Sequence, residues 1–227
     1  MRTAFRDPGI PDGEKSVYTV GAVDQPHRFE VTSVVAHDDD GYHSTVEARP
    51  GDGNPTIRIE QRFRRIDGWL RAEDYRAETR SGGSVVSREE AHFVDTTHFQ
   101  FGSGIAPFPS NVMPLIGGLT LLRGLDFTEG AVASLDLWLA FSVHWPLASR
   151  VDKRTMVDVP AGRMISWPVH LRPAFAHVNT MLDKVIGGFI PSSVAHFEAA
   201  PPHRLVRFSF PTEANSSNPR GLMELVA

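Results

Sequence analysis

Apolar and polar residues alternate with a period of two through much of the chain, the mark of strands with one buried face. In residues 56–65, Ile57, Ile59, Gln61 and Phe63 fall on one face, and Arg58, Glu60, Arg62 and Arg64 on the other. In residues 69–80, Trp69, Glu73, Tyr75 and Ala77 share a phase opposite Asp74, Arg76 and Glu78. Ile66-Asp67-Gly68 lies between these runs. An Asp-Gly turn there makes the pair a hairpin. Residues 15–23, 28–37, 41–49 and 84–94 carry the same pattern, separated by turn residues such as Asp38-Asp39-Asp40-Gly41 and Ser81-Gly82-Gly83. Six consecutive antiparallel strands are predicted. Such a meander curls to protect its edges.

The grammar changes after residue 100. Gly102–Ser110 is rich in glycine and proline, and Asn111–Arg123 reads as a short helix broken by Gly117-Gly118. Ala131–Trp145 reads as one long strand with Leu135, Leu137, Leu139, Phe141, Val143 and Trp145 on one face. Hairpins are predicted at 154–172, across Pro160-Ala161-Gly162, and at 193–210, across Ala200-Pro201-Pro202. A helix is predicted at 176–186, closed by Gly187-Gly188. Residues 212–227 read as a loosely ordered polar tail. Segment 100–125, with Phe101, Phe108, Met113, Leu115 and Ile116, fits either a lid or plug over a barrel mouth or part of the core. No linker divides the chain. The expectation is all-β: a single domain over 1–227, an open antiparallel lipocalin-like barrel of about ten strands with two short helices.

Composition narrows the classes. The 227 residues include no cysteine, which excludes a disulfide scaffold and thiolate metal centres. A hydrophobic share of 41% excludes a disordered chain, and a net charge of −4 leaves no basic footprint for nucleic acid. The longest apolar stretches are interrupted by Arg123, Asp136 and His144 and fall short of the ~20 residues of a membrane span. Met1–Pro8 lacks the apolar run of a signal peptide, so a cytoplasmic location is expected. His92, Asp95 and His98 form a 2-His-1-carboxylate set in composition, but no two share a strand face at useful spacing. P-loop, dinucleotide, H-E-x-x-H and G-x-S-x-G motifs are absent from the sequence. Neither metal nor other cofactor is expected. The expected partner is a hydrophobic small molecule, bound by a monomer or homodimer.

Gly13-Glu14-Lys15-Ser16-Val17-Tyr18, Leu121-Leu122-Arg123-Gly124-Leu125, Val159-Pro160-Ala161-Gly162-Arg163 and the final Pro-Pro hairpin together span most of the chain. In these pieces it resembles a bacterial lipocalin-like family, similar in outline to the lipoprotein carriers of the Gram-negative envelope. The resemblance implies an open barrel around an apolar cavity. It transfers no catalytic residues, and the expected lack of an export signal departs from the envelope carriers.

Candidate chemistry comes from polar residues on otherwise apolar faces. If the phase of Trp69 faces inward, Glu73 and Tyr75 enter the cavity, and burial would raise the Glu73 pKa toward that of a general acid or base. The competing reading is a salt bridge to Arg71. Gln61 and Ser33, with Phe63 beside them, are inward candidates for ligand contact. His144, His170, Arg172 and Arg207 lie opposite the more apolar phase of their strands, facing either solvent or a cavity. In a cavity they would hold an oxyanion and move a proton. Two functions stand. One is a cofactor-independent lyase, isomerase or cyclase acting by acid–base catalysis on an aromatic or polycyclic molecule, with Glu73, Tyr75, His144 and His170 as catalysts. The other is a non-catalytic binder or carrier of a hydrophobic molecule or lipid.

Overall fold

The six patterned segments form β1 (Glu14–Ala22), β2 (Arg28–Asp38), β3 (Gly41–Arg49), β4 (Thr56–Ile66), β5 (Trp69–Ser81) and β6 (Ser84–His92). Each pairs antiparallel with the next, as the alternation predicts. The β4–β5 turn carries Asp67 at φ 51° and Gly68 at φ 78°. Two successive left-handed residues match the right-handed twist of the strands they join. The computed structural model describes residues 3–23, 28–51, 53–93, 95, 97–99, 104–140, 143–174, 192–212 and 220–227.

The rest of the chain adds β7 (His98–Phe99), β8 (Ile105–Ala106), β9 (Val112–Pro114), α1 (Gly118–Leu122), β10 (Val132–Ala140), β11 (Val143–Val151), β12 (Thr155–Val159), β13 (Gly162–Pro173), β14 (Ser193–Glu198), β15 (Leu205–Pro211) and β16 (Arg220–Leu225). Among the described residues, fourteen strands make one sheet. It runs β6-β5-β4-β3-β2-β1-β16-β15-β14-β13-β11-β10-β9, with β12 extending the β13 edge. The expected ten-stranded barrel is therefore replaced by a larger open sheet whose edges are not hydrogen-bonded to each other. The hairpins at β12–β13 and β14–β15 lie where the turn residues place them.

Three expectations change. The single strand over 131–145 is instead the antiparallel pair β10–β11, in which Ala140 is the register partner of Val143. The apolar run gave no turn signal there. The tail supplies β16, whose pairing with β1 and β15 joins the first and last parts of the chain. Its Gly221, Met223 and Leu225 alternate with Leu222 and Glu224, a pattern too short to stand out at the chain end. Segment 111–123 gives β9, parallel to β10, before the short α1. The expected helix at 176–186 lies outside the described residues.

The sheet curls until the β9–β10 end tucks against the inner side of β4 and β5. Tyr75 meets Trp138 across this seam with ring centroids 5.1 Å apart, and Phe93 meets Trp138 at 5.4 Å. Gly117, at the start of α1, lies directly on the Gln61 side chain, and a Cβ at that position would occupy the amide's space. The N-terminal arm locks the arrangement. Leu70 donates its N–H to the Phe5 carbonyl (2.8 Å), and Arg6 donates to the Gly124 carbonyl (2.7 Å). Phe5 is fully buried.

Candidate functional site

The concave side of the curled sheet encloses a cavity of about 560 Å³. That lies within the ~300–1,000 Å³ of small-molecule sites. Alternation in each strand aims one phase inward: Tyr18 and Val20 of β1, Val31 of β2, Ile59 of β4, Leu137 of β10, Phe208 of β15. Met113 and Leu119 close the side formed by β9 and α1. The lining is mainly aliphatic and aromatic.

Side-chain exposure orients the cavity. Ile57, Leu115, Ile116 and Trp145 line it and are 37%, 53%, 44% and 38% exposed, so they form its rim. At the opposite end Ser16, Tyr18, Thr120 and Arg123 are buried. Arg123 donates to both oxygens of Glu14, at 2.6 and 3.0 Å, and through Nε to the Pro202 carbonyl at 2.9 Å. The Tyr18 hydroxyl donates to the Leu205 carbonyl at 3.2 Å. Burial pushes the Tyr18 phenol up to about 12, against the smaller opposing effect of the Ser16 hydrogen bond. It therefore stays protonated at neutral pH. An apolar chamber thus ends in a polar floor whose charges are already matched.

The expected catalytic residues do not gather in this cavity. Glu73 is displaced by a β-bulge: Arg62 pairs with Asp74 and Phe63 with Ala72, so Glu73 has no register partner of its own. The phase of β5 changes there. Leu70 and Ala72 face inward before the bulge, Tyr75 after it, and Trp69, Arg71 and Glu73 turn outward. Glu73 forms ion pairs with Arg62 (3.5 Å) and Arg64, rather than with Arg71. Arg71 instead holds Asp95, at 2.6 and 3.1 Å. Tyr75 faces inward as expected but is consumed by the Trp138 seam and does not line the cavity; burial pushes its phenol up to about 12.

The two histidines also take the far side. His144 lies 3.3 Å from Asp136, on the phase opposite the cavity-lining Trp145 and Leu147. His170 pairs with Asp152 at 3.1 Å, opposite the cavity-lining Leu171. Arg172 is exposed on that same outer phase. Arg207 points outward to Glu224, at 2.7 Å, because Phe208 takes the inward position. In each case the apolar residue claims the cavity and the ionisable one takes the opposite face, which is open to solvent at Arg172, whereas His144 is largely buried on the side of its cross-strand neighbour Trp138.

Among the expected ligand contacts, Ser33 lines the cavity, cross-strand from Ser16. Gln61 and Phe63 are buried but covered by the α1 segment and the core, and do not line it. Trp69 lies outside under the Arg6 guanidinium, 5.3 Å from its ring centroid. Phe108 packs on Phe93 at 5.2 Å within the core. Phe101 lies outside the described residues. His92 pairs with Asp74, and among the described residues no three metal-ligating side chains converge.

Sequence reasoning missed the floor. Glu14, Ser16 and Tyr18 alternate in one phase of β1, and that polar run at a strand start was the available signal. Arg123 read only as an interruption of an apolar stretch. Its pairing with Glu14, 109 residues away, has no local signature.

No family model matches the chain, and no curated protein matches it. Among solved structures it is similar to a protein with a YmcC-like fold from Bacteroides fragilis NCTC 9343, at 10% identity and a TM-score of 0.35 over 98% of each chain. No helix among the described residues is long and apolar enough to cross a membrane.

Proposed function

We propose that the protein binds a hydrophobic small molecule in the cavity of its curled sheet, without transforming it. The observation that carries this reading is an apolar chamber of about 560 Å³ whose ionisable lining groups are already engaged with one another. Burying apolar ligand surface there yields roughly 25 cal/mol per Å² of gross driving force, before the costs of association. An acid–base catalyst needs a titratable group within hydrogen-bond reach of its substrate. Glu14 is clamped by Arg123, and Tyr18 is protonated and committed to a carbonyl. Glu73, His144 and His170, on which an enzyme reading rests, lie off the cavity. The resemblance to lipocalin-like barrels points the same way.

The test is titration of purified protein with N-phenyl-1-naphthylamine, an uncharged fluorophore that brightens in apolar surroundings, followed by its displacement with long-chain compounds. Saturable 1:1 binding with displacement is the expected result. Fluorescence that never saturates, or that no apolar compound displaces, would overturn the proposal.

A further inference from the structure

The charge balance at the cavity floor carries the argument further, from whether a ligand binds to what its polar end must be. Arg123 has five N–H donors, and three are committed to Glu14 and the Pro202 carbonyl. Each Glu14 oxygen accepts one of them. Beyond the lining, Arg204 also acts on Tyr18, and it lies 3.0 Å from Glu198. His203 beside them is held toward its neutral form, first by burial, and its Nδ1 contacts the Glu198 carbonyl at 2.9 Å. The floor itself holds one cation and one anion, Arg123 and Glu14, and with the Arg204–Glu198 pair beyond it also matched, it has no net charge to offer. It does present hydroxyls: Ser16 and Thr120 are buried in the lining, and Ser33 is cross-strand from Ser16.

We infer that the cavity selects an uncharged amphiphile, such as a long-chain alcohol or ester, and discriminates against a fatty-acid anion of the same length. This rests on the binding reading given under Proposed function. A carboxylate reaching the floor would meet the Glu14 carboxylate already seated on the Arg123 guanidinium. It could reach only the N–H groups left on a guanidinium whose charge Glu14 already neutralises. To take that charge for itself it would have to displace Glu14, leaving that carboxylate buried without a partner, a costly arrangement. A hydroxyl or ester carbonyl asks for no such exchange. It can use the serine and threonine hydroxyls and the remaining Arg123 N–H groups while the Glu14–Arg123 pair stays closed. The exposed rim at Leu115, Ile116 and Trp145 would take the far end of the chain.

Any apolar chamber prefers a neutral ligand to an anion, so the decisive measurement is how that preference responds to Glu14. 1-Decanol and decanoate are compared at pH 8, each by displacement of N-phenyl-1-naphthylamine, in the wild type and in Glu14→Gln. Wild type should bind decanol at least ten-fold more tightly. Glu14→Gln uncovers Arg123, and the ratio should move at least ten-fold toward decanoate. Glu14→Gln with Arg123→Gln restores neutrality and should return the preference to decanol. An equal or tighter grip on decanoate in the wild type would overturn the inference, as would a ratio that does not move in a folded Glu14→Gln variant. If Glu14→Gln does not fold by circular dichroism, the wild-type ratio together with the double variant decides. Failure of both ligands to displace the probe from the wild type would instead remove the binding reading itself.

Discussion

Tyr75 of β5 and Trp138 of β10 meet edge to face, 5.1 Å apart, although nine strands lie between theirs along the path of the sheet. The contact, with Phe93 at 5.4 Å from Trp138, is what turns a flat run of strands into a chamber. Edge-to-face pairs of this kind contribute about 0.5–1.5 kcal/mol beyond the area they bury.

Removing the larger partner should open the seam. Trp138→Ala is expected to lower unfolding free energy by about 3–5 kcal/mol in urea titrations, the range for a buried aromatic truncated to alanine. The same variant should lose the probe-binding signal before it unfolds globally, because the chamber depends on the seam.

Leu137 projects into the cavity from the strand that carries Trp138. Leu137→Trp should fill part of the ligand space and weaken probe binding by ten-fold or more. Its urea midpoint should shift little, since the added ring enters a void rather than a packed core. Native mass spectrometry of the protein–ligand complex provides an independent readout.

Glu73→Gln should leave ligand binding unchanged within two-fold. The residue pairs with Arg62 and Arg64 on the outer face, and such partly exposed pairs contribute about 0–1 kcal/mol. A ten-fold loss of binding in this variant would place the bulge, and with it the direction of Glu73, in error.

His196 supplies a pH dependence. Burial first, then Arg207 and His170, lower its pKa from 6.5 to about 4, and Nδ1 lies 3.2 Å from the Ser166 hydroxyl. The folded state thus favours the neutral ring, so the unfolded chain binds more protons between these values. The contribution is complete above about pH 6.5 and is lost as pH falls toward about 4. Thermal melts of the wild type should decline across that window, and His196→Gln should decline less.

How much of this was legible in the sequence depends on whether the signal was local. The β1–β6 meander was, because each strand and each turn carries its own pattern. The direction of Glu73 was missed, yet its clue was present: the apolar positions Leu70, Ala72, Tyr75 and Ala77 are spaced two, three and two apart, and the interval of three marks an extra residue in the strand. Extending the phase of Tyr75 back to Trp69 ignored it. The β10–β11 reversal lacked any glycine or proline to announce it. The Glu14–Arg123 floor and the β1–β16 pairing join opposite parts of the chain, and period-two patterning has no means of naming a distant partner.

A closed barrel fixes its girth, since strand number and stagger are set by a continuous ladder of backbone hydrogen bonds. Here, among the described residues, the overlap between β9–β10 and β4–β5 is held by side chains, Tyr75, Trp138, Phe93 and Gln61 beneath Gly117, and by the few backbone bonds of the N-terminal arm. Side-chain contacts can slide where a ladder must break. The roll can therefore change girth along one line, limited by the arm's few bonds, while every pairing within the large sheet stays intact. On the proposed binding reading, the width of the chamber would adjust to its contents, and guests differing by several methylene groups would be housed by the same fold.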